Sequence, residues 1–180
     1  MDLLLHICCA PCALYPYFRL KEEGMEPSGY FYNPNIHPYL EYRKRLETVK
    51  EFAHRVGLDI TIRDDYDLDA FLLRVAGTGP LRCEQCYRMR LDAAGAAARE
   101  MGYRLFSTSL LYSKFQKHDL IAGVGREMGA QHGVEFYYED FRRGWREGIV
   151  ESNAMGLYRQ QYCGCIYSER DRYRRNADRQ

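Results

Sequence analysis

The sequence predicts an α/β fold, a doubly wound parallel sheet of five strands that is Rossmann-like in its alternation. Two observations support this prediction, one on the fold class and one on the number of domains. Short apolar runs alternate with helical patterns along the whole chain, and parallel strands need such helical crossovers. The length of 180 residues corresponds to about one domain, because domains commonly contain roughly 100–200 residues.

Each element follows from its own pattern. Five short apolar or alternating runs predict buried strands, at 3–7, 29–32, 58–62, 103–107 and 134–137. Six stretches with apolar residues on one helical face predict helices, at 13–23, 39–56, 67–76, 83–101, 117–128 and 149–158. Glycines mark the ends of four of these helices: Gly24, Gly57, Gly77 and Gly102. Gly123 and Gly125 lie inside the fifth helix, and we interpret them as packing positions rather than a dinucleotide-binding loop.

Composition and charge bound the class of protein. The 26 Lys and Arg residues nearly balance 25 Asp and Glu residues, which excludes a polybasic protein but not a local basic patch. We predict one metal-binding catalytic domain at 1–168 and a basic tail at 169–180, whose pattern also permits a helix. No apolar run is long enough to predict a membrane span. Because Asp2 and the short apolar run after it lack the pattern of an export signal, we expect a cytoplasmic protein.

All seven cysteines fall into three short groups. The groups are Cys8-Cys9-Ala10-Pro11-Cys12, Cys83-Glu84-Gln85-Cys86 and Cys163-Gly164-Cys165. Disulfides are disfavoured in the cytoplasm, so clustered thiols there predict metal or redox chemistry. The simpler alternative is that buried cysteines act as small hydrophobic residues.

The predicted topology brings these groups to one edge of the sheet. Cys8, Cys9 and Cys12 follow the first strand at its carboxyl end, where ligands bind in open α/β sheets. Cys83 and Cys86 share a face at the start of a helix, so the three groups are expected to meet at one site. Helix N-termini there favour the thiolate form that binds metals. Polar residues after the other strands are Asn33, Asn35, His37, Asp64, Asp65, Ser107 and Ser109.

The number of thiols leaves several chemistries open. Four thiolates hold one tetrahedral zinc or one [4Fe–4S] cluster, so seven suggest a cluster with either a second metal or a redox dithiol. One alternative is a structural zinc in an RNA-binding protein. Another is a thioredoxin-like thiol–disulfide oxidoreductase that uses Cys9 and Cys12, because this pair lies between a strand and a helix. The adjacent Cys8 and Cys9 side chains are expected to diverge.

Several motifs carry a resemblance to a known family. They are Leu5-His6-Ile7-Cys8-Cys9-Ala10-Pro11-Cys12, Phe31-Tyr32-Asn33-Pro34-Asn35-Ile36-His37-Pro38, Arg82-Cys83-Glu84-Gln85-Cys86-Tyr87-Arg88-Met89-Arg90-Leu91, Ser107-Thr108-Ser109-Leu110-Leu111 and Leu157-Tyr158-Arg159-Gln160-Gln161-Tyr162-Cys163-Gly164-Cys165. With these motifs the chain resembles the QueH family of epoxyqueuosine reductases, over nearly its whole length up to Ser168.

The resemblance implies a reaction and a cofactor. Family members reduce epoxyqueuosine to queuosine at the wobble position of tRNA, and the epoxide oxygen leaves as water after transfer of two electrons and two protons. The resemblance implies an iron–sulfur enzyme, independent of cobalamin, with a fold related to the adenine nucleotide alpha hydrolases and PP-loop ATPases. Cysteines stand where the ATP-binding loop of those proteins would be, so ATP chemistry is not expected. The implied partners are the tRNA anticodon loop and an electron donor that the sequence does not name.

This reaction assigns roles to particular residues. A [4Fe–4S] cluster would supply low-potential electrons, and an additional mononuclear iron beside it would act as a Lewis acid on oxygen. The cluster is expected on Cys83, Cys86, one of Cys8 and Cys9, and one of Cys163 and Cys165, with the extra iron on Cys12 and the remaining thiols. Candidate proton donors are His37, His118 and Tyr158. Candidate tRNA and substrate contacts are Tyr32, Asn33, Asn35, Tyr42, Arg45, Arg88, Arg90, Ser107, Ser109, Lys117, Arg159, Gln160 and the run 170–175.

Overall fold

The centre of the molecule is one parallel sheet. A computed structural model describes residues 1–177, with side chains through Arg174. Its strands are β1 (Asp2–His6), β2 (Glu26–Phe31), β3 (Ile60–Ile62), β4 (Leu105–Thr108) and β5 (Glu135–Phe136). They pair in parallel in the order β3-β2-β1-β4-β5, which confirms the predicted fold class. The apolar run of β1 is buried because a parallel sheet is covered on both faces.

Helices cover both faces of this sheet. Those in the described range are α1 (Ala10–Glu22), α2 (Tyr39–Val56), α3 (Leu68–Val75), α4 (Arg82–Glu100), α5 (His118–His132), α6 (Trp145–Ala154) and α7 (Ile166–Ala177). Parallel crossovers are right-handed, so α1 and α2 lie on one face and α4 and α5 on the other. None of the described helices has both the length and the apolar character needed to cross a bilayer.

The helix bounds differ from prediction where local geometry decides them. The helix predicted at 39–56 agrees with α2 at both ends. α1 begins earlier than predicted because Pro11 fits a first helical turn, so Cys12 lies inside the helix. The helix predicted at 149–158 is misplaced, since α6 ends at Ala154 and Gly156 follows with φ +65°. α7 includes most of the predicted tail, and residues 178–180 lie outside the described range.

Of the two glycines predicted as packing positions in α5, Gly125 packs closely and Gly123 does not, because a Cβ atom on Gly123 would meet nothing within 4 Å. A Cβ atom on Gly125 would lie 2.5 Å from the Phe136 ring, and one on Gly129 would lie 2.7 Å from the Val134 carbonyl oxygen. These close approaches let α5 lie directly against β5. Larger residues would push the helix off the sheet.

The direction of winding reverses at β1. This strand has β2 on one side and β4 on the other, so the connections that leave β1 and β4 diverge at their carboxyl ends. In open α/β sheets, ligands bind in the crevice outside such a reversal point. The segments 7–12 and 109–117 therefore border the position where the fold favours a ligand.

Candidate metal centre

Three sulfur atoms meet in this crevice. The Sγ atoms of Cys8, Cys9 and Cys12 all lie within 4.8 Å of one another. Within the described part of the chain, no other three His, Cys, Asp or Glu side chains come together this closely. The Sγ atoms of Cys8 and Cys9 are 3.8 Å apart, so the expectation that these side chains diverge is wrong. Cys9 is extended (φ −168°, ψ 160°) where the chain turns from β1 into α1, and this turn brings the two side chains together.

Ser109 and Gln160 form hydrogen bonds with the sulfur triad, which consists of Cys8, Cys9 and Cys12. The Cys8 amide donates to Ser109 Oγ at 3.0 Å, and the Ser109 hydroxyl donates to Cys8 Sγ at 3.3 Å. Gln160 Nε2 donates to Cys9 Sγ at 2.9 Å and to Cys12 Sγ at 3.3 Å. Both residues are among the predicted substrate contacts, and the structure places them against the thiols.

The three thiols differ in acidity. Hydrogen bonds from Cys12, Cys9 and Ser109 hold the pKa of Cys8 well below its ordinary value. Burial raises the pKa of Cys9, and hydrogen bonds with Cys8 and Cys9 raise that of Cys12. One negative charge is therefore readily held at Cys8, and a metal bound by all three sulfurs would have to expel the other protons.

The other four cysteines border the site from α4 and from the segment before α7. Cys86 is buried, and Cys165 packs against the same small apolar cluster. Burial raises the pKa of Cys86 to about 12, and the charges of Cys83, Cys163 and Cys165 act on this thiol. The structure thus brings the cysteine groups to one edge of the sheet, with the tightest grouping at the triad.

Gln116, which the sequence analysis missed, connects Cys163 to Tyr87. Gln116 Nε2 donates to Cys163 Sγ at 3.1 Å, and Gln116 Oε1 accepts from the Tyr87 hydroxyl at 2.7 Å. Tyr87 is buried and takes part in this hydrogen-bond chain. For Gln116, the signal that the sequence offered was its place after β4, at the carboxyl edge of the sheet.

Arg45 fastens the third cysteine group to α2. Its Nη1 and Nη2 atoms donate to the carbonyl oxygens of Cys163 and Tyr162 at 2.9 and 3.1 Å. Its Nε donates to Glu41 at 2.7 Å, and Glu41 also accepts from the Tyr158 hydroxyl at 2.6 Å. Arg45 is 2% exposed, so the segment that carries Cys163 is anchored to a buried ion pair.

Gly164 occupies a position where a side chain does not fit. Its φ is +142°, and a Cβ atom would lie 2.9 Å from Asn35 Nδ2. We expect Gly164→Ala to displace Cys163 and Cys165, to lower the metal bound per chain, and to cost about 1–3 kcal/mol of stability. Metal analysis and thermal unfolding measure both effects. Gly24→Ala, at φ +76° with open space around it, controls for backbone strain alone, and equal metal content in the two variants would contradict the prediction.

The predicted proton donors lie apart from one another. The Tyr158 hydroxyl donates a hydrogen bond to Glu41, and burial raises the pKa of Tyr158. His118 Nε2 is 3.0 Å from the Tyr138 hydroxyl. His37 is 1% exposed, and neither of its ring nitrogens has a partner among the described residues. No hydrogen bond between described residues joins any of the three to a cysteine sulfur, so their role stays a prediction.

Burial of His37 predicts a loss of stability in acid. Its ring lies against Phe71 and Tyr66, and burial lowers its pKa to about 4. An unfolded histidine has a pKa of about 6.5, so the unfolded chain binds the proton more tightly and stability falls as the pH drops from about 6.5 towards 4. At pH 5 this amounts to about 2 kcal/mol. The free energy of unfolding in urea is measured at pH 7.5 and 5.0. Between these pH values, His37→Phe should lose about 2 kcal/mol less of it than the unchanged protein. Equal losses in the two proteins would contradict the prediction.

The structure divides the predicted substrate contacts into two sets. Buried members are Asn33, Asn35, Tyr42, Arg45, Arg90, Ser107 and Ser109. Tyr42, for example, lies in the core and donates to Asp64 at 2.9 Å, which leaves it no open face for a base. Members that reach the surface are Tyr32, Arg88, Lys117, Arg159 and Gln160. Arg88 pairs there with Glu84 and Glu127.

Several buried polar atoms have no partner among the described residues. They include Asn33 Oδ1, both amide atoms of Asn35, Ser107 Oγ, Arg90 Nη2 and Gln160 Oε1, and the Gln160 amide is the one that contacts the triad. Buried polar groups are almost always hydrogen-bonded, so these atoms are open to water or to a polar ligand. The sulfur donors are soft ligands that suit zinc or iron–sulfur centres. The residues present therefore fit a thiolate-bound metal cofactor.

Comparison with known proteins identifies the family. The family model described as "Epoxyqueuosine reductase QueH" matches residues 3–171. Epoxyqueuosine reductase QueH of Dehalococcoides mccartyi is 37% identical over 171 residues, which cover 95% of this chain and 94% of that protein. The QueH of Thermotoga maritima is 33% identical over 192 residues, with 97% and 94% covered.

Solved structures support the fold. A predicted subunit of tRNA methyltransferase from Methanocaldococcus jannaschii is similar at a TM-score of 0.58 and 13% identity, over 85% of this chain and 74% of that one. The U34-tRNA thiolase NcsA of Methanococcus maripaludis, solved with its [4Fe–4S] cluster, is similar at 0.56 and 13%, over 93% and 61%. These likenesses agree with the predicted α/β fold. From its motifs and its relatives alike, the chain belongs to the QueH family of epoxyqueuosine reductases, oxidoreductases of tRNA queuosine biosynthesis.

Proposed function

We propose that this chain reduces epoxyqueuosine at the wobble position of tRNA with electrons delivered through a [4Fe–4S] cluster that its cysteines bind. The observation that carries the proposal is the sulfur triad of Cys8, Cys9 and Cys12 at the reversal point of the sheet. Gln160 Oε1, which is buried and has no partner among the described residues, also supports a bound polar group. When bound, such a cluster supplies electrons one at a time at low potential.

The ligands divide into the triad and the other four cysteines. Because its sulfurs are so close, the triad suits one metal centre as a unit, which favours a different division from the one proposed on sequence alone. Cys83, Cys86, Cys163 and Cys165 would supply the remaining thiolates. A second, mononuclear iron on thiols that the cluster leaves over stays a prediction, as does the assignment of individual cysteines.

The chain's own residues prepare the site for this chemistry. Ser109 stabilises negative charge on Cys8, and Gln160 orients Cys9 and Cys12. Cys163 is exposed at the mouth of the crevice, where a substrate would enter. Cleavage of the epoxide C–O bond consumes two electrons and two protons, so a proton donor must approach the leaving oxygen. Among the predicted proton donors we favour Tyr158. It is half-buried and lies two positions before Gln160, which contacts the triad.

The two alternative functions fit the geometry less well. A thioredoxin-like enzyme needs an accessible cysteine of low pKa, whereas Cys9 and Cys12 are 1% and 7% exposed and have raised pKa values. A structural zinc site is closed by four ligands, whereas the tight group of described residues contains three. Three ligands are typical of a centre with an open position.

We infer that the tRNA anticodon loop docks at the mouth of the crevice. Phe115 is 87% exposed there, next to Gln116 and between Lys114 and Lys117. Exposed aromatic rings stack on unpaired bases, and lysines attract the phosphate backbone. Tyr32 and Arg159 reach the surface as further contacts, and the arginines of 170–174 extend the basic surface along α7. The side chain of Arg175 lies outside the described range. Because tRNA is the substrate, we expect the reaction in the cytoplasm.

Metal analysis tests the proposal most directly. Iron, acid-labile sulfide and zinc are measured on anaerobically purified protein, followed by reduction of epoxyqueuosine in tRNA with a chemical reductant in place of the electron donor. We expect about four sulfides and four to five irons per chain, and queuosine as product. About one zinc with no sulfide, even after anaerobic reconstitution, would contradict it.

A further inference from the structure

Arg90 is a buried cation with no carboxylate partner in the described part of the chain. It is 1% exposed and is the largest fully buried side chain among the described residues. Its Nε atom donates to the Cys86 carbonyl oxygen at 3.3 Å, and its Nη2 atom has no partner among those residues. Among the described residues no Asp or Glu forms an ion pair with it, whereas the equally buried Arg45 pairs with Glu41.

The charges that surround Arg90 come from thiols. It lies one helical turn after Cys86 on the same face of α4. Its burial lowers the pKa of Arg90, and the charges of Cys86, Cys163 and Cys8, one thiol from each cysteine group, raise that pKa above its ordinary value. The guanidinium also lies 5.6 Å from the centre of the Tyr87 ring.

A guanidinium in this position needs negative charge beside it. Moving a cation out of water is costly unless an opposite charge compensates it, and arginine does not lose its proton in proteins. Neutral thiols do not provide that compensation, but metal-bound thiolates do. A cluster with four thiolate ligands is negatively charged as a whole, and it becomes more negative when it accepts an electron.

We propose that Arg90 is the internal counter-ion of the metal centre, and that its charge makes the bound cluster easier to reduce. This inference rests on the proposed function. In the reduction step one electron passes from the reductant to the cluster, and Arg90 keeps its proton. Its cation stabilises the more negative, reduced state more than the oxidised one. Arg90 thus acts through the charge that it places beside the cluster. Because its side chain is buried, this role replaces the predicted contact with tRNA phosphates.

The test compares cluster potentials in three holoenzyme variants. Arg90→Met removes the charge and keeps most of the volume, whereas Arg90→Lys keeps the charge. Arg99→Met removes an exposed charge from the last turn of the same helix. Iron and sulfide are measured in each variant, and the reduction potential is determined by anaerobic titration followed by electron paramagnetic resonance.

The expected shift has a definite sign. Arg90→Met should lower the equilibrium constant for reduction by about tenfold or more, which is about 59 mV for a one-electron couple. Arg90→Lys should recover most of this loss, and Arg99→Met should not change the potential. Loss of the cluster in Arg90→Met with retention in Arg90→Lys would also support a charge role. Cluster loss in both variants, or an unchanged potential in Arg90→Met with full cluster content, would overturn it. An unmodified protein without iron and sulfide would instead refute the proposed function itself.

Discussion

Cys83→Ser should abolish reduction of epoxyqueuosine in tRNA while leaving the fold intact. Cys83 lies in the first turn of α4, half-buried, and its charge acts on the Cys86 thiol. A serine hydroxyl is a poor ligand for iron, so the cluster should be lost or incomplete. Activity should fall at least about 100-fold, because even residues that only support metal ligands cost up to about that much. Sulfide content and turnover measure the loss together.

The same variant separates the proposed function from thiol–disulfide exchange. An enzyme that used Cys9 and Cys12 alone would not need Cys83, so insulin reduction by such an enzyme would survive the change. Ala93→Ser, which adds a hydroxyl elsewhere on α4, controls for the effect of a serine in this helix. Full reduction of tRNA by Cys83→Ser, with unchanged iron and sulfide, would rule out Cys83 as an essential ligand.

Arg45→Met should be the most destabilising change at the site. It removes the donors to the carbonyl oxygens of Cys163 and Tyr162, and it takes the cation away from Glu41. Removing one partner of a buried ion pair lowers the free energy of unfolding by about 3–5 kcal/mol, because the remaining charge is left uncompensated. The free energy of unfolding in urea measures this cost. Iron content should also fall, since Cys163 and Cys165 lose their anchor.

Arg43→Met is the matched control for stability. Arg43 lies on the same helix, and its guanidinium pairs with Asp64 and Glu47 at the surface, so its loss should cost much less stability than the loss of Arg45. Arg45→Lys should recover only part of the stability, because an ammonium group cannot make the same planar set of hydrogen bonds. An Arg45→Met protein within about 1 kcal/mol of the unchanged one would show that the segment around Cys163 is held by other contacts.

Much of the fold could be predicted because its signals are local. The apolar run of β1 and the single apolar face of α2 determine a strand and a helix wherever they lie in a protein. Gly57 ends α2 in the left-handed conformation, as a helix-ending glycine predicts. The helix predicted at 149–158 was misplaced at both ends. α6 begins at Trp145, whose ring packs against Tyr112, and it ends at Ala154, before Gly156 at φ +65°.

The candidate site was predictable as a set of residues and not as a geometry. The grouping of the cysteines, and their place after β1 and at the start of α4, already indicated one metal site at the carboxyl edge. What the sequence did not show was that Cys8 and Cys9 converge, because this depends on the extended conformation of one residue. It also did not separate Arg90 and Arg45, which are buried, from Lys117 and Arg159, which reach the surface.

The family, the order of the elements and the cysteine groups proposed to bind a metal follow from the sequence alone. The tertiary packing sets which thiols lie together, which cations are buried, and which polar atoms have no partner among the described residues. The difference comes from the range of the interactions. Strands, helices and motifs follow from residues a few positions apart, whereas the site joins β1, β4, α4 and the segment 157–165, and the cost of burying a charge depends on everything packed around it.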